Sequence, residues 1–438
     1  MHNDSHLKRS CTESEMATFG EKLDPQYSAR VAWGMKGNRQ SIVVTNNPST
    51  IDANQILTIR FPSLGADDVI IPRTARIAFN VTLDGDTDAN RTVVNNLGRA
   101  IVKKISVKLE GQEVMSLDDA DIYLCYRDLW MTKKERLNAA YYGINNSGNT
   151  AKIRLGAGDA VVATQPDASI AAAFGNRFAI PLDFEILTDH GPFYQAGLAD
   201  RLSFELTFND YGRVITSTDV NASYHITNIA LEFDIVTNPD LARRKRQQYD
   251  SQTVVLYTRV LRHRKLALNK SDVTWNINLN TPARSLKGIL LLFEDPAVGA
   301  MGPAFGRNSE FYYNPLITKT QITVEGIPNQ LYAHGMLPYQ HWDEIMKEFA
   351  REDLKGAELP STDIRTYFQS RYALWLDFRS SDDCRLHGSG RRVENASEGV
   401  TIQLEKTAQP AGPLNCYVFL LMDAQLNIGG GRLISAVF

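Results

Sequence analysis

The side chains best suited to chemistry in this chain are two basic runs, eight histidines, four cysteines and a few adjacent carboxylates. Arg243, Arg244, Lys245 and Arg246 form the strongest basic run, and Arg262, His263, Arg264 and Lys265 a second. Such runs can contact phosphates or serve as import signals. The plainer readings are a solvated interdomain linker for the first and strand-end charges for the second. Binding nucleic acid by counter-ion release needs a positive surplus. With 47 basic and 50 acidic residues, a net charge of -3, the chain has none. Tight general or sequence-specific nucleic-acid binding is therefore not expected.

Metal binding needs His, Cys or carboxylate ligands at converging spacings. The histidines are scattered without HxH or HExxH spacing, and Cys11, Cys125, Cys384 and Cys416 form no CxxC pair. They read as thiols in a reducing compartment. Gly388-Ser389-Gly390 lacks the strand and helix that a phosphate loop requires, no GxSxG elbow marks a nucleophile, and Asp382-Asp383 sits in a polar stretch. No catalytic, cofactor-binding or metal-ligating residue is assigned, no cofactor is expected, and the chain does not read as an enzyme.

The elements around these residues are mostly strands. From residue 41 on, apolar and polar residues alternate, the period of a strand with one buried face. Ala75, Ile77, Phe79, Val81 and Leu83 form one such series, and Leu202, Phe204, Leu206 and Phe208 another. Ile229 to Ile235, Val273 to Leu279 and Val400 to Leu404 continue the pattern. Two stretches have helical spacing instead. Ile122, Cys125, Tyr126, Leu129 and Trp130 follow Asp118 and Asp119, candidate caps; Trp342, Ile345, Met346 and Phe349 follow Pro338. The longest apolar runs, Gly288–Phe293 and Tyr417–Met422, have strand length and are too short to span a bilayer. The polar opening Met-His-Asn-Asp-Ser-His predicts no secretory signal.

Both helical stretches occupy the same context. Each follows a strand–Glu-Gly–strand hairpin, at Glu110-Gly111 and Glu325-Gly326, with Gly free to take a positive φ. Each precedes a near-identical strand, Arg177-Phe-Ala-Ile-Pro-Leu-Asp183-Phe184 or Arg371-Tyr-Ala-Leu-Trp-Leu-Asp377-Phe378. Leu202–Leu206 then parallels Val400–Leu404. Three matches in constant order point to a tandem duplication. The repeat of about 200 residues is far longer than a solenoid unit, so each copy is a whole domain. Eight strands are expected in the first copy, near 42–45, 56–61, 74–83, 101–109, 112–117, 177–187, 202–208 and 224–236. The fold class is all-β: two tandem eight-stranded antiparallel jelly-roll sandwiches, each with a short helical excursion. The expected division is a flexible N-terminal arm over 1–40, a first jelly roll over 41–238, a linker over 239–250 and a second jelly roll over 251–438. The extra length of the first copy falls near 145–175 and is the candidate for an outward tower. Gly429-Gly430-Gly431 reads as a last hairpin turn into a closing strand, Arg432–Phe438.

Longer motifs carry a family resemblance. Asn96-Leu-Gly-Arg-Ala-Ile-Val-Lys-Lys-Ile105, Cys125-Tyr-Arg-Asp-Leu-Trp130, Thr237-Asn-Pro-Asp-Leu241, Tyr372-Ala-Leu-Trp-Leu-Asp-Phe-Arg379 and Met422-Asp-Ala-Gln-Leu-Asn427 are among them. From about residue 41 to the end, the chain resembles the major capsid proteins of Polinton and adintovirus type, and more distantly adenovirus hexon and virophage capsid proteins. The resemblance implies a vertical double jelly roll and a homotrimer forming pseudo-hexagonal capsomers. It further implies an icosahedral shell around double-stranded DNA, penton and minor capsid proteins as partners, and a place in the virion. It supplies no catalytic residues. The competing reading is a double jelly-roll glycan-binding or glycan-processing protein, which a convergent carboxylate pair or aromatic rings over a concave sheet would favour.

Overall fold

A computed structural model describes residues 38–45, 49–84, 92–144, 152–154, 177–188, 193–215, 223–251, 253–296, 309–329, 332, 334–350, 360–379, 389–394 and 399–438. Most of the 145–175 stretch, residues 1–37, Asp382-Asp383, Gly388, Cys11 and Cys384 lie outside the described residues.

All eight strands expected in the first half are present: β1 (Asn38–Thr45), β2 (Ile56–Arg60), β3 (Arg76–Asp84), β4 (Val102–Leu109), β5 (Gln112–Asp118), β6 (Arg177–Pro181), β7 (Ser203–Phe208) and β8 (Ser223–Thr237). The second half repeats them as β9 (Thr253–Asn269), β10 (Thr274–Leu279), β11 (Ala283–Glu294), β12 (Ile317–Val324), β13 (Ile327–Pro328), β14 (Ala373–Asp377), β15 (Val400–Lys406) and β16 (Pro413–Gly429). The sheet orders are β1-β8-β3-β6 and β2-β7-β4-β5 in one half, β9-β16-β11-β14 and β10-β15-β12-β13 in the other. Adding eight to every strand number converts the first half into the second. Both halves are jelly rolls, two antiparallel layers each built on four strands with crossing connections. The short strands Thr50–Asp52, Asp68–Ile70 and Arg391–Val393 extend the first layer of each half. Beyond this plan, β17 (Arg432–Val437) pairs with the end of β16 after Gly430 and Gly431, both at positive φ.

The alternating residues fill the space between the layers. Ile77, Phe79 and Val81 of β3 and Phe204 and Leu206 of β7 are fully buried. Phe61 meets Phe204 at 6.0 Å and Phe233 of β8 at 4.9 Å between ring centres. Each such side chain contributes about 1.5–3 kcal/mol by leaving water.

The two Glu-Gly hairpins have the same backbone. Glu110 and Gly111 have φ of 52° and 77°, Glu325 and Gly326 51° and 77°, the paired left-handed geometry that matches strand twist. A left-handed glutamate costs about 1–2 kcal/mol, and a carboxylate bond offsets this in both halves. Glu110 accepts from the N–H of Ala199 (3.1 Å) and of Leu433 (3.0 Å), and Glu325 from that of Glu394 (2.7 Å).

Both expected helices form, as α1 (Ala120–Asp128) and, further on, a helix over Pro338–Phe349 with Pro338 in its first turn. Asp119 holds the N-cap position of α1, but its side chain makes no cap bond. A short α2 (Lys133–Leu137) follows, closed by a Thr132/Glu135 capping box. The stretch 239–250, expected as a linker, is itself a helix, α3 (Pro239–Asp250). Asn238 accepts from the N–H of Asp240 and Leu241, and Pro239 opens the first turn. The Pro338–Phe349 helix is α4, and α5 (Ile364–Ser370) leads into β14.

Candidate assembly faces

Among the described residues, an extensive joint connects the two halves. Every residue of α1 except Arg127 is buried, although a helix lying on its own domain would leave one face to water. The second half covers it. Tyr126 meets Tyr312 (5.0 Å, edge-on) and Phe349 of α4 (5.6 Å), Trp130 meets Trp342 (5.8 Å), and Tyr123 meets Phe419 of β16 (5.4 Å). Burial pushes the Tyr126 hydroxyl far above its ordinary range. A single connected apolar cluster runs through both sandwiches and this joint.

Polar groups fix the register of the joint. Tyr312 donates to the carbonyl of Ile122 (2.7 Å), Tyr257 to that of Val114 (2.5 Å), and Ser361 and Thr362 to that of Leu129 (both 2.7 Å). Glu310 accepts from Asn95 (2.7 Å), from Arg136 and from Arg371 (3.2 Å). Arg213 bridges Asp121 (3.2 Å) and Glu294 (3.0 Å), and Tyr417 donates to Glu294 (2.7 Å). Burial opposes the Arg213 charge, but the two carboxylates outweigh it and hold it firmly protonated.

Helix α1 meets the outer face of the second half's β9-β16-β11-β14 sheet through Tyr123 on Phe419, with Asp119 beside Arg262. Helix α4 of the second half itself covers Trp375 (Phe349, 6.1 Å). Across this sheet, Trp375 (β14), Leu290 (β11), Phe419 (β16) and Arg262 (β9) lie opposite one another in a row. The three apolar members are buried, and Arg262 pairs with Asp119 (3.1 Å). A side chain at Gly288 would lie 2.0 Å from the Trp375 indole, so only glycine lets that ring lie flat. The register carries this row onto the first half, because Pro181 and Trp375 hold the same place in the repeated strand (375 − 181 = 194). The counterpart row is Pro181 (β6), Arg76 (β3), Glu232 (β8) and Val43 (β1). Arg76 pairs with Glu232 at 2.8 Å, Arg177 joins them at 3.2 Å, and Arg76 lies over the Tyr141 ring at 4.8 Å. One face of the duplicated sheet is thus apolar and covered, while its twin is charged and partly open.

The residues singled out for chemistry have structural roles. On α3, Arg243 pairs with Asp240, Arg246 stacks on and donates to Tyr194, and buried Lys245 has its pKa pushed down to about 8 by burial. In the second run, Arg262 serves the joint, Arg264 donates to the carbonyl of Asn278, Lys265 lies over the Tyr417 ring, and His263 bonds Thr281. Cys125 and Cys416 are buried free thiols. Among the described residues no group of three or more His, Cys, Asp or Glu converges on a metal position, and no helix is long and apolar enough to cross a membrane. A shallow notch on α5, lined by Ile364, Arg365, Phe368 and Gln369, carries no carboxylate.

Sequence reasoning missed the joint as a site. Its signal was the doubly apolar character of Gly288–Phe293 and Tyr417–Met422, which marks strands buried on both faces. The matching first-half strands alternate instead.

Topology and joint together define a double jelly roll, two diverged copies of one sandwich packed side by side. No protein-family model matches the sequence, and neither does any curated protein. The likeness is one of structure. The chain is similar to PBCV-1 VP54, in a crystal structure fitted into a reconstruction of the virophage Sputnik (TM-score 0.60, 13% identity, 92% of this chain and 98% of that one). It is similar also to the Faustovirus major capsid protein (TM-score 0.59, 9% identity, 94% and 98%) and to the mavirus major capsid protein (TM-score 0.50, 11% identity, 91% and 89%).

Proposed function

We propose that this chain is a major capsid protein that trimerises into pseudo-hexagonal capsomers and builds the icosahedral shell of a double-stranded DNA virus or virus-like element. The observation that carries this reading is the uneven burial of the repeat. The first half meets the second through a head-to-tail joint, in which α1 lies on a sheet face. A head-to-tail contact closes into a ring if the rotation allows. Three chains of two sandwiches each then present six similar units, a tile that packs in a hexagonal array. The double jelly rolls of PBCV-1, Faustovirus and mavirus support the reading by their fold, and the motifs noted above favour the Polinton and adintovirus type. The division falls at α3, with 41–238 and 251–438 as the two jelly rolls. On this reading the chain acts as a building block without catalysis, resides in the virion, and has penton and minor capsid proteins as further partners.

Negative-stain images of the purified chain test this. Roughly hexagonal tiles or closed shells are the expected result. A field of separate single-chain particles under conditions that favour assembly would overturn it.

A further inference from the structure

We infer that the charged row on the first half's outer sheet is the docking surface for the α4 face of a second copy, and that this joint, unlike the one inside the chain, opens reversibly with salt. The inference rests on the capsomer reading and names the surfaces it would use.

Inside the chain, the face formed by the end of β5 and by α1 sits on the outer face of β9-β16-β11-β14. The counterpart of the first of these is the end of the β12–β13 hairpin and α4. Only His341 and Ile345 of α4 are buried, whereas α1 is covered almost entirely. Left open on α4 and its approaches are Ile327 (60% exposed), Leu337 (42%), Tyr339 (68%) and Met346 (37%). Tyr339 and Met346 are seven residues apart and share one side of the helix. Tyr339 and Met346, with Leu337 at the helix start, give α4 an exposed apolar side of the kind that marks an interaction site, and Tyr, Met and Arg are residues that protein interfaces favour.

The counterpart of the second face is the row of Arg76, Glu232 and Val43, with Arg177 and Tyr141 beside it. Val43 is 61% exposed, and the Arg76 and Arg177 side chains remain 40% and 33% open. Charges match across the inferred contact. Two arginines outnumber Glu232 on the sheet, and on the helix Asp343 is the most open charge (61%), with Lys347 (44%) held between it and the part-buried Glu344. The buried joint inside the chain places Leu290 and Phe419 where this one has Arg76 and Glu232. The first joint forms as the chain folds and has no need to dissolve. The second forms between folded chains, and part-exposed charges make its strength depend on ionic strength.

The test measures the mass of the full-length chain by sedimentation across a salt series, with Tyr339→Asp, Met346→Asp and Asp343→Lys variants. Ile56→Asp, on the other layer of the first half, is the control, since Ile56 is 64% exposed. Thermal melting of each variant confirms an intact fold. The wild-type oligomer should weaken about tenfold or more from low to high salt while its melting stays cooperative. The three α4 variants should each weaken assembly about tenfold at low salt, the control leaving it unchanged. If they assemble like wild type, the α4 face is not the docking surface, though the capsomer reading stands. An oligomer indifferent to salt overturns the ionic character of the joint. A wild-type chain that is single at every salt concentration overturns this inference and the capsomer reading together.

Discussion

At the scale of single residues, Gly288, Glu310 and His341 each hold the molecule by a different physical device. Gly288→Ala places a methyl inside the Trp375 ring; overpacking of this kind costs about 1–3 kcal/mol, so a lowered melting temperature is expected. Glu310→Gln leaves Arg136 and Arg371 facing a neutral amide. Because these arginines are largely buried (side chains 6% and 16% exposed), the loss should be about 3 kcal/mol, measurable in the same melts. His341 bonds Tyr372 (2.9 Å) and Thr320 (3.3 Å), and burial pushes its pKa down to about 4. An unfolded histidine takes its proton near pH 6.5. Between those values the unfolded chain binds a proton that the folded chain refuses, so stability falls as pH drops from about 6.5 to about 4. A His341→Gln variant should flatten that slope in melts run across the range; an unchanged slope would remove His341 as its source. Below that window Asp183 takes over. Burial works against its charge, but Arg127 and Arg99 outweigh it and hold its carboxyl at about 2, so its contribution is lost as pH falls towards 2.

At the scale of elements, the two halves share their hairpins and differ in how far their helices are covered. A Gly111→Ala side chain meets no neighbour, so its cost is the left-handed backbone alone, about 1 kcal/mol. Gly326→Ala, at the same φ of 77°, should cost the same, and a large difference in their melting shifts would contradict the equivalence of the two turns. Much of this level was legible in the sequence. Period-two alternation marked the strands near 74–83, 202–208 and 224–236, Gly111 and Gly326 marked the turns, and the Arg-aromatic-Ala strand revealed the duplication. Helix α3 was harder to read, because Arg243 to Arg246 look like a solvated linker. Of the four only Lys245 is buried; the helix is held by Ala242 and Tyr249, which pack with Tyr194, Val69 and Ile428, partners distant in the chain. The side-chain role of Glu110 and Glu325 was equally hidden, since the N–H groups they accept from lie in other elements. Asp119 looked like a helix cap and instead pairs with Arg262 of the other half. The joint itself could have been suspected from Leu290-Leu-Leu-Phe293 standing where the first half has Arg76-Ile-Ala-Phe79.

At the scale of the whole molecule, one sandwich has been used twice, and the difference between its copies records their surroundings. The covered sheet face became apolar and bound its neighbour for good. The other copy of that face kept its charges, and the other copy of α1 kept an apolar side exposed. On the capsomer reading proposed above, a chain with one satisfied and one open end of a head-to-tail contact assembles by repeating that contact. Counting the chains in that assembly decides whether the contact closes into a ring. A cryo-EM reconstruction of the purified oligomer should show three chains of 49.0 kDa around a three-fold axis, six sandwiches in a near-hexagonal ring, with α4 of each chain against the β1-β8-β3-β6 sheet of the next. A two-fold dimer joined through like faces, or a particle that never exceeds one chain, would contradict it.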